Sequence, residues 1–311
     1  MDDGPRLLEA IGLPGDDPGD YHSHERFADG GAFRFEIPSV EGPRALEAVL
    51  DAARSAGVPL HRVSQGSGIQ VLADREIRAM AEIGADAAIE VALFLSPRAL
   101  YDTGAMHLAP GGAGLRNRVR GARQLGYALN ELERAYALGI RSFLVTDIGL
   151  LAAIGELKEA GRIGADVRIK LSVMVAEANP ASARLLERLG AATFNVPTDL
   201  GVDHMAAIRQ ACHMPLDVYV ESPDDVGGFL RYHEMARIVE AASPVYLKFG
   251  LRNAPGIYPS GVHLMAVAEA TARERVHRLE VAWEALARAG LAERMSAVPV
   301  VSGDLAVPRR A

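Results

Sequence analysis

The chain is poor in cysteine, lysine and aromatic residues, and each shortage narrows what it can be. A single cysteine, Cys212, excludes an intrachain disulfide and any cysteine-held iron–sulfur or zinc site. No apolar run approaches the roughly 20 residues that span a bilayer. The opening stretch MDDGPRLLEAIGLPGDDPGD is acidic where a secretory signal would be basic, so a soluble cytoplasmic protein is expected. A net charge of −7 argues against nucleic-acid binding driven by overall charge. Lysine is the sharpest shortage: of 33 basic residues only Lys158, Lys170 and Lys248 are lysines. Also missing are a Gly-x-Gly-x-x-Gly fingerprint after a strand, a Walker loop, a Gly-x-Ser-x-Gly elbow and a His-Glu-x-x-His helix, which removes support for the dinucleotide, nucleotide, serine-hydrolase and zincin classes.

What is present is a repeat of short apolar runs, polar loops and helical stretches, the pattern of a parallel α/β fold. Eight strand candidates are legible: FRFEIP (33–38), PLHRVS (59–64), AAIEVALF (87–94), SFLVTDI (142–148), VRIKLSVMV (167–175), ATFNVP (192–197), LDVYVES (216–222) and VYLKFG (245–250). Each is followed by a helical stretch, and several of those stretches end on glycine. Eight such units predict a (β/α)8 TIM-type barrel over 31–291, with an arm at 1–30, a long insertion at 96–127 and a tail at 292–311. A doubly wound sheet is the alternative.

Strand alternation predicts which side chains enter the barrel. It sends Arg34, Glu36, Glu90, Arg168, Lys170, Ser172, Thr193, Asn195, Asp217, Tyr219, Glu221, Tyr246 and Lys248 inward, and leaves the second strand unassigned. Such an interior is a compensated ionic network, a ligand site, or both, because each buried charge costs several kcal/mol unless paired. Arg34, Arg168 and Asp217 are expected to plug the bottom as salt bridges. Glu90, Lys170, Glu221 and Lys248 are the candidate catalytic residues, since barrel enzymes place their chemistry at the C-terminal strand ends. Glu90, Asp147 and Glu221 could hold magnesium or manganese through oxygen ligands. Lys170 or Lys248 could form an imine with a carbonyl substrate, which arginine cannot do; a compact ammonium that merely fits the narrow interior is the competing explanation.

Loops supply further candidates. Gly227 and Gly228 are placed at a helix start that could receive an anion, with Arg252 and Asn253 beside them. Glu36, Tyr219 and Asn195 complete the expected substrate contacts. In the 96–127 insertion, Arg98, Tyr101, His107, Arg116 and Arg118 could reach over the mouth as part of a lid, and a homo-oligomer contact or a solvated basic helix would use the same segment.

The stretch AEANPASARLLERLGAATFNVPTDLGVDHMAAI, with Asn179, Ala183, Leu189, Gly190, Val196 and Pro197 in order, resembles the collagenase-like peptidase family of unknown catalytic type, U32. The resemblance implies a barrel and a peptidase label. The family's cysteines and iron–sulfur chemistry do not carry over to a chain with only Cys212. The expected function is an enzyme acting on a small anionic or carbonyl-containing metabolite by lyase, aldolase-like or isomerase chemistry. A metal-assisted hydrolase acting on a peptide-derived substrate and a silent binding or scaffold subunit are the alternatives.

Overall fold

The computed structural model describes residues 3–95, 106, 109, 112, 117–300 and 302–310. Eight parallel strands close into a barrel in chain order: β1 (Phe33–Pro38), β2 (Arg62–Ser64), β3 (Glu90–Phe94), β4 (Ser142–Val145), β5 (Arg168–Leu171), β6 (Thr193–Asn195), β7 (Leu216–Glu221) and β8 (Val245–Phe249). The helices are α1 (Gly4–Ala10) in the arm, then α2 (Pro43–Ala56), α3 (Asp74–Asp86), α4 (Gly121–Ala137), α5 (Ile148–Glu159), α6 (Pro180–Arg188), α7 (Val202–Ala211), α8 (Met235–Ala242) and α9 (Met265–Arg288). The (β/α)8 expectation holds. The strands are shorter than the sequence suggests, because the apolar run continues into loops once the ladder ends. Among the described residues no helix is long and apolar enough to cross a membrane.

Alternation explains why this sequence closes. Phe33, Phe35, Ile37, Val91, Leu93, Ile169, Leu171, Leu247 and Phe249 point outward into one continuous apolar layer beneath the helices, each large side chain contributing about 1.5–3 kcal/mol on burial. α9 lies along α2 and behind β1 and β8, where its Trp283 meets the Phe35 ring edge-on at 6.1 Å. Gly57 ends α2 in the left-handed region at φ 64°, so the chain can turn into β2 without the Cβ penalty.

The arm and tail close the N-terminal end. Phe27 and Leu305 pack with Tyr246, and the Arg34 guanidinium lies 3.9 Å from the Phe27 ring centre. Arg34 pairs with Asp29 at 3.3 Å and Asp304 at 3.1 Å, not with Asp217. Arg168 follows the interior alternation but stands exposed at the bottom rim. The expected plug of Arg34, Arg168 and Asp217 is therefore replaced by one built from arm, tail and Arg34.

Candidate functional site

The barrel interior is organised around Glu36 and Asp217. The register pairs Glu36 with Arg62 on one side and with Lys248 on the other. The Arg62 guanidinium donates to Glu36 at 2.5 Å and also to Asp217, while Lys170 pairs with Asp217 and lies 3.1 Å from Glu36. Lys248 is 3.5 Å from the other oxygen of Glu36, donates to Asn195 at 2.5 Å and sits 4.3 Å from the centre of the Tyr219 ring. Ser64 completes Glu36 with a 2.6 Å hydrogen bond. Burial alone would push the Glu36 carboxyl up, but Arg62, Lys170 and Lys248 together hold it well below the usual carboxylate range. Burial, reinforced by Arg62, lowers the Lys170 ammonium to about 8 against the pull of Asp217 and Glu36.

Above this network a cavity of about 170 Å³ opens at the C-terminal strand ends. Lys248 is the one cation among its described lining residues, which include Ser64, Ser172, Tyr219, Asp225 and Tyr258 beside apolar Phe94, Leu144 and Val226. Tyr258, from the loop after β8, folds back so that its hydroxyl meets Ser39 and its ring rests on Gly66. The same loop is anchored where the Ser260 N–H donates to Ser67 at 2.7 Å, and Ser67 in turn bonds the buried carboxylate of Glu41. Burial raises the phenols of both Tyr219 and Tyr258, so they stay protonated as hydrogen-bonding groups at neutral pH.

Lys248, Tyr219, Asn195 and Glu36 are thus brought together as expected, whereas other candidates fall elsewhere. Glu90 is the first residue of β3, at the N-terminal end, where it accepts from Ser142 at 2.6 Å and lies 3.9 Å from Arg62. Lys170 lies below Lys248 and faces a lower cavity. Glu221 is reversed by an irregularity that pairs Tyr219 with Lys248 but Glu221 with Phe249. It therefore points outward, accepting from Tyr232 at 3.1 Å and the Arg252 backbone N–H at 3.0 Å, with Arg278 at 3.4 Å. Asp147 caps α5, its two oxygens accepting from the N–H groups of Leu150 and Val119. The three proposed metal carboxylates are therefore apart, and among the described residues no group of three His, Cys, Asp or Glu side chains could hold an ion.

Gly227 and Gly228 do not open a helix. They leave the short turn Asp224–Val226 at φ 114° and 60°, Gly228 donates its N–H to Pro223, and α8 begins only at Met235. Arg252 and Asn253 stitch the rim instead of facing the cavity: the Arg252 side chain pairs with Asp224 at 3.1 Å, and the Asn253 N–H donates to the same carboxylate. Arg118 donates to the Thr146 carbonyl at 2.8 Å. Arg98, Tyr101, His107 and Arg116 lie outside the described residues. Sequence reasoning missed Arg62 and Tyr258. The first sits in a strand with polar residues on both faces, and the second in a loop with no periodicity, where the Tyr-Pro pair beside the β8 end was the available signal.

Residues 116–222 match the model of peptidase family U32. That segment is U32-like. It runs from the end of the insertion through β7, so it contains Lys170, Asn195, Asp217 and Tyr219, while Glu36, Arg62 and Lys248 lie outside it. Among solved structures, the U32 peptidase Mk0906 is 16% identical over 76% of this chain and 98% of its own, with a TM-score of 0.41. A candidate fructose-1,6-biphosphate aldolase from Coccidioides immitis is 12% identical over 83% and 92%, with a TM-score of 0.52. A candidate lyase/mutase from Burkholderia cenocepacia is 13% identical over 92% and 88%, at 0.46. At these identities the likeness is one of barrel fold. No curated protein matches the chain.

Proposed function

We propose that the U32-like barrel is an enzyme whose mouth cavity takes a small carbonyl-containing anion, engaged by Lys248, for lyase or aldolase-like chemistry. The observation that carries this reading is the position of Lys248. It is 3% exposed at the floor of a cavity whose other described lining residues are apolar or neutral polar groups and one acid, Asp225, and its nearest carboxylate is already shared with Arg62, Lys170 and Ser64. Arg62, Lys170 and Lys248 face Glu36 and Asp217, with Glu90 3.9 Å from Arg62 at the lower end, so at the mouth Lys248 has only a carboxylate that two other cations also hold. A substrate carboxylate or carbonyl oxygen completes the pairing of Lys248 in a low-dielectric site where the attraction is strong.

In the covalent form of this chemistry, the Lys248 ammonium first passes one proton to water or to the substrate carboxylate, the amine adds to the carbonyl carbon, and with that proton returned the carbonyl oxygen leaves as water. The resulting protonated imine withdraws electrons from the neighbouring bond. Asn195 and the Tyr219 face hold the nitrogen in place, and the Ser39 and Tyr258 hydroxyls line the same space as hydrogen-bonding groups for substrate oxygens.

Borohydride reduction with a panel of 2-keto acids, followed by intact mass, tests the proposal. A reduced adduct in wild type that vanishes in Lys248→Met is expected. Absence of any adduct, together with equal keto-acid binding by the two proteins, would overturn it. The U32 match favours a second reading, a peptide-derived substrate in the same cavity, and a peptide panel run in parallel with product analysis separates the two.

A further inference from the structure

The N-terminal end of the barrel, opposite the mouth, holds a second cavity of about 240 Å³. At roughly 30 Å³ per water it has room for a molecule of several heavy atoms. Its walls are apolar, from Phe27, Tyr246 and the prolines 215 and 244, while its charged groups are mostly cationic: Arg26 and Arg168 at the rim and Lys170 at the inner end. Lys170, only 1% exposed, lines the inner end, with its ammonium also paired with Asp217 and 3.1 Å from Glu36.

The acids lining it are already engaged. Asp304 is held by Arg34 at 3.1 Å, and Glu90 accepts from Ser142 with Arg62 at 3.9 Å. Glu25 lies beside the rim, paired with His213 at 3.2 Å. Arg168 has no acidic partner within ion-pair distance among the described residues, although it also borders the neighbouring hollow where Arg141 and Arg309 take Asp166. A rim guanidinium without an acidic partner, over a cavity lined at its inner end by a lysine and on its sides by hydroxyls and apolar residues, offers the donors that a small oxyanion requires.

We infer that this lower cavity is a second ligand site, for a small oxyanion such as a phosphate or a short dicarboxylate, bound between Arg168 and Lys170. It is a separate space from the mouth, sharing none of its described lining residues. Arg168 supplies the planar fork for the oxyanion, Lys170 the inner charge, and the Thr193 and Ser142 hydroxyls lie within the same walls.

Calorimetric titration of the full chain with inorganic phosphate and, separately, with succinate tests the inference and distinguishes the two ligand chemistries. Wild type and Lys248→Met should bind the preferred anion with equal affinity. Arg168→Glu, at an exposed position, should weaken it at least tenfold, and Arg168→Lys should restore part of it. No binding of either anion to wild type, binding unaffected by Arg168→Glu, or binding lost in Lys248→Met but kept in Arg168→Glu would each overturn the assignment.

Discussion

Lys170 and Lys248, two of the three lysines in the chain, share one carboxylate: Glu36 lies 3.1 Å from the first Nζ and 3.5 Å from the second. Because Arg62 is bound to the same carboxylate, Glu36 is the hinge of the whole interior charge balance. Replacing it by Gln leaves three cations with Asp217, and Glu90 at 3.9 Å from Arg62, as their remaining acids. Glu36→Gln should lower unfolding free energy by about 3–5 kcal/mol, as removal of one partner from a buried ionic group does. Lys248→Met removes the cation that stands farthest from Glu36 and should change stability by no more than about 1 kcal/mol. Urea titrations of the three proteins provide the comparison, and a Lys248→Met loss as large as that of Glu36→Gln would make Lys248 a structural counter-ion.

The depressed Lys170 ammonium predicts an alkaline effect. Its folded value of about 8 lies below its ordinary value of 10.5, so between these pH values the unfolded chain binds more protons. Stability should accordingly rise from pH 8 to pH 9.5, before tyrosine ionisation in the unfolded chain opposes it. Denaturant midpoints at the two pH values should show this increment in wild type and not in Lys170→Met, compared at whatever stability that variant retains.

His61 predicts an acid effect of separate origin. Its Nδ1 accepts from the Phe35 N–H at 3.1 Å and its Nε2 lies 3.1 Å from the Ser296 carbonyl, an arrangement that fits the neutral ring. Burial lowers it from 6.5 to about 4. The unfolded chain takes up the proton first, so stability is lost as pH falls from 6.5 toward 4, by on the order of 3 kcal/mol. Proton NMR should find the His61 ring still neutral at pH 5. A midpoint near 6.5 would contradict the assignment.

Gly66 predicts a steric effect on the mouth. A Cβ there would stand 2.5 Å from the Tyr258 ring, so Gly66→Ala must push the ring and its loop away. The expected outcome is a stability loss of about 1–3 kcal/mol and weaker retention of keto acids. Tyr258→Phe, which keeps the ring but loses the bond to Ser39, should leave stability nearly unchanged. Thermal unfolding and ligand titration on both variants decide whether packing or the hydroxyl holds the loop.

Much of this molecule was legible in its sequence, for physical reasons that also explain the failures. Alternation placed Glu36, Lys170, Asn195, Tyr219 and Lys248 inside, because each lies between apolar neighbours that must face the helices. Arg62 was hidden because His61, on the opposite face of the strand, is polar as well and erases the period-two signal. Glu221 was misdirected by an irregularity in the β7–β8 ladder, which alternation cannot register. Glu90 was placed too high because the apolar run begins at 87 while the ladder begins at 90. Asp147 read as a ligand because a strand-end carboxylate and a helix cap look alike until the helix start is known.

The closure of the barrel base by Arg34 and Asp304 joins groups 270 positions apart in the chain. The first strand therefore carries an interior guanidinium with one counter-ion, Asp29, five positions before it and a second, Asp304, from a segment that follows all eight strands. A ribosome-bound intermediate holding all eight strands still lacks that partner, and long-range closures of this kind slow folding. The base thus joins a local pairing to one of long sequence separation, and only the second ties the segment after the barrel to its first strand.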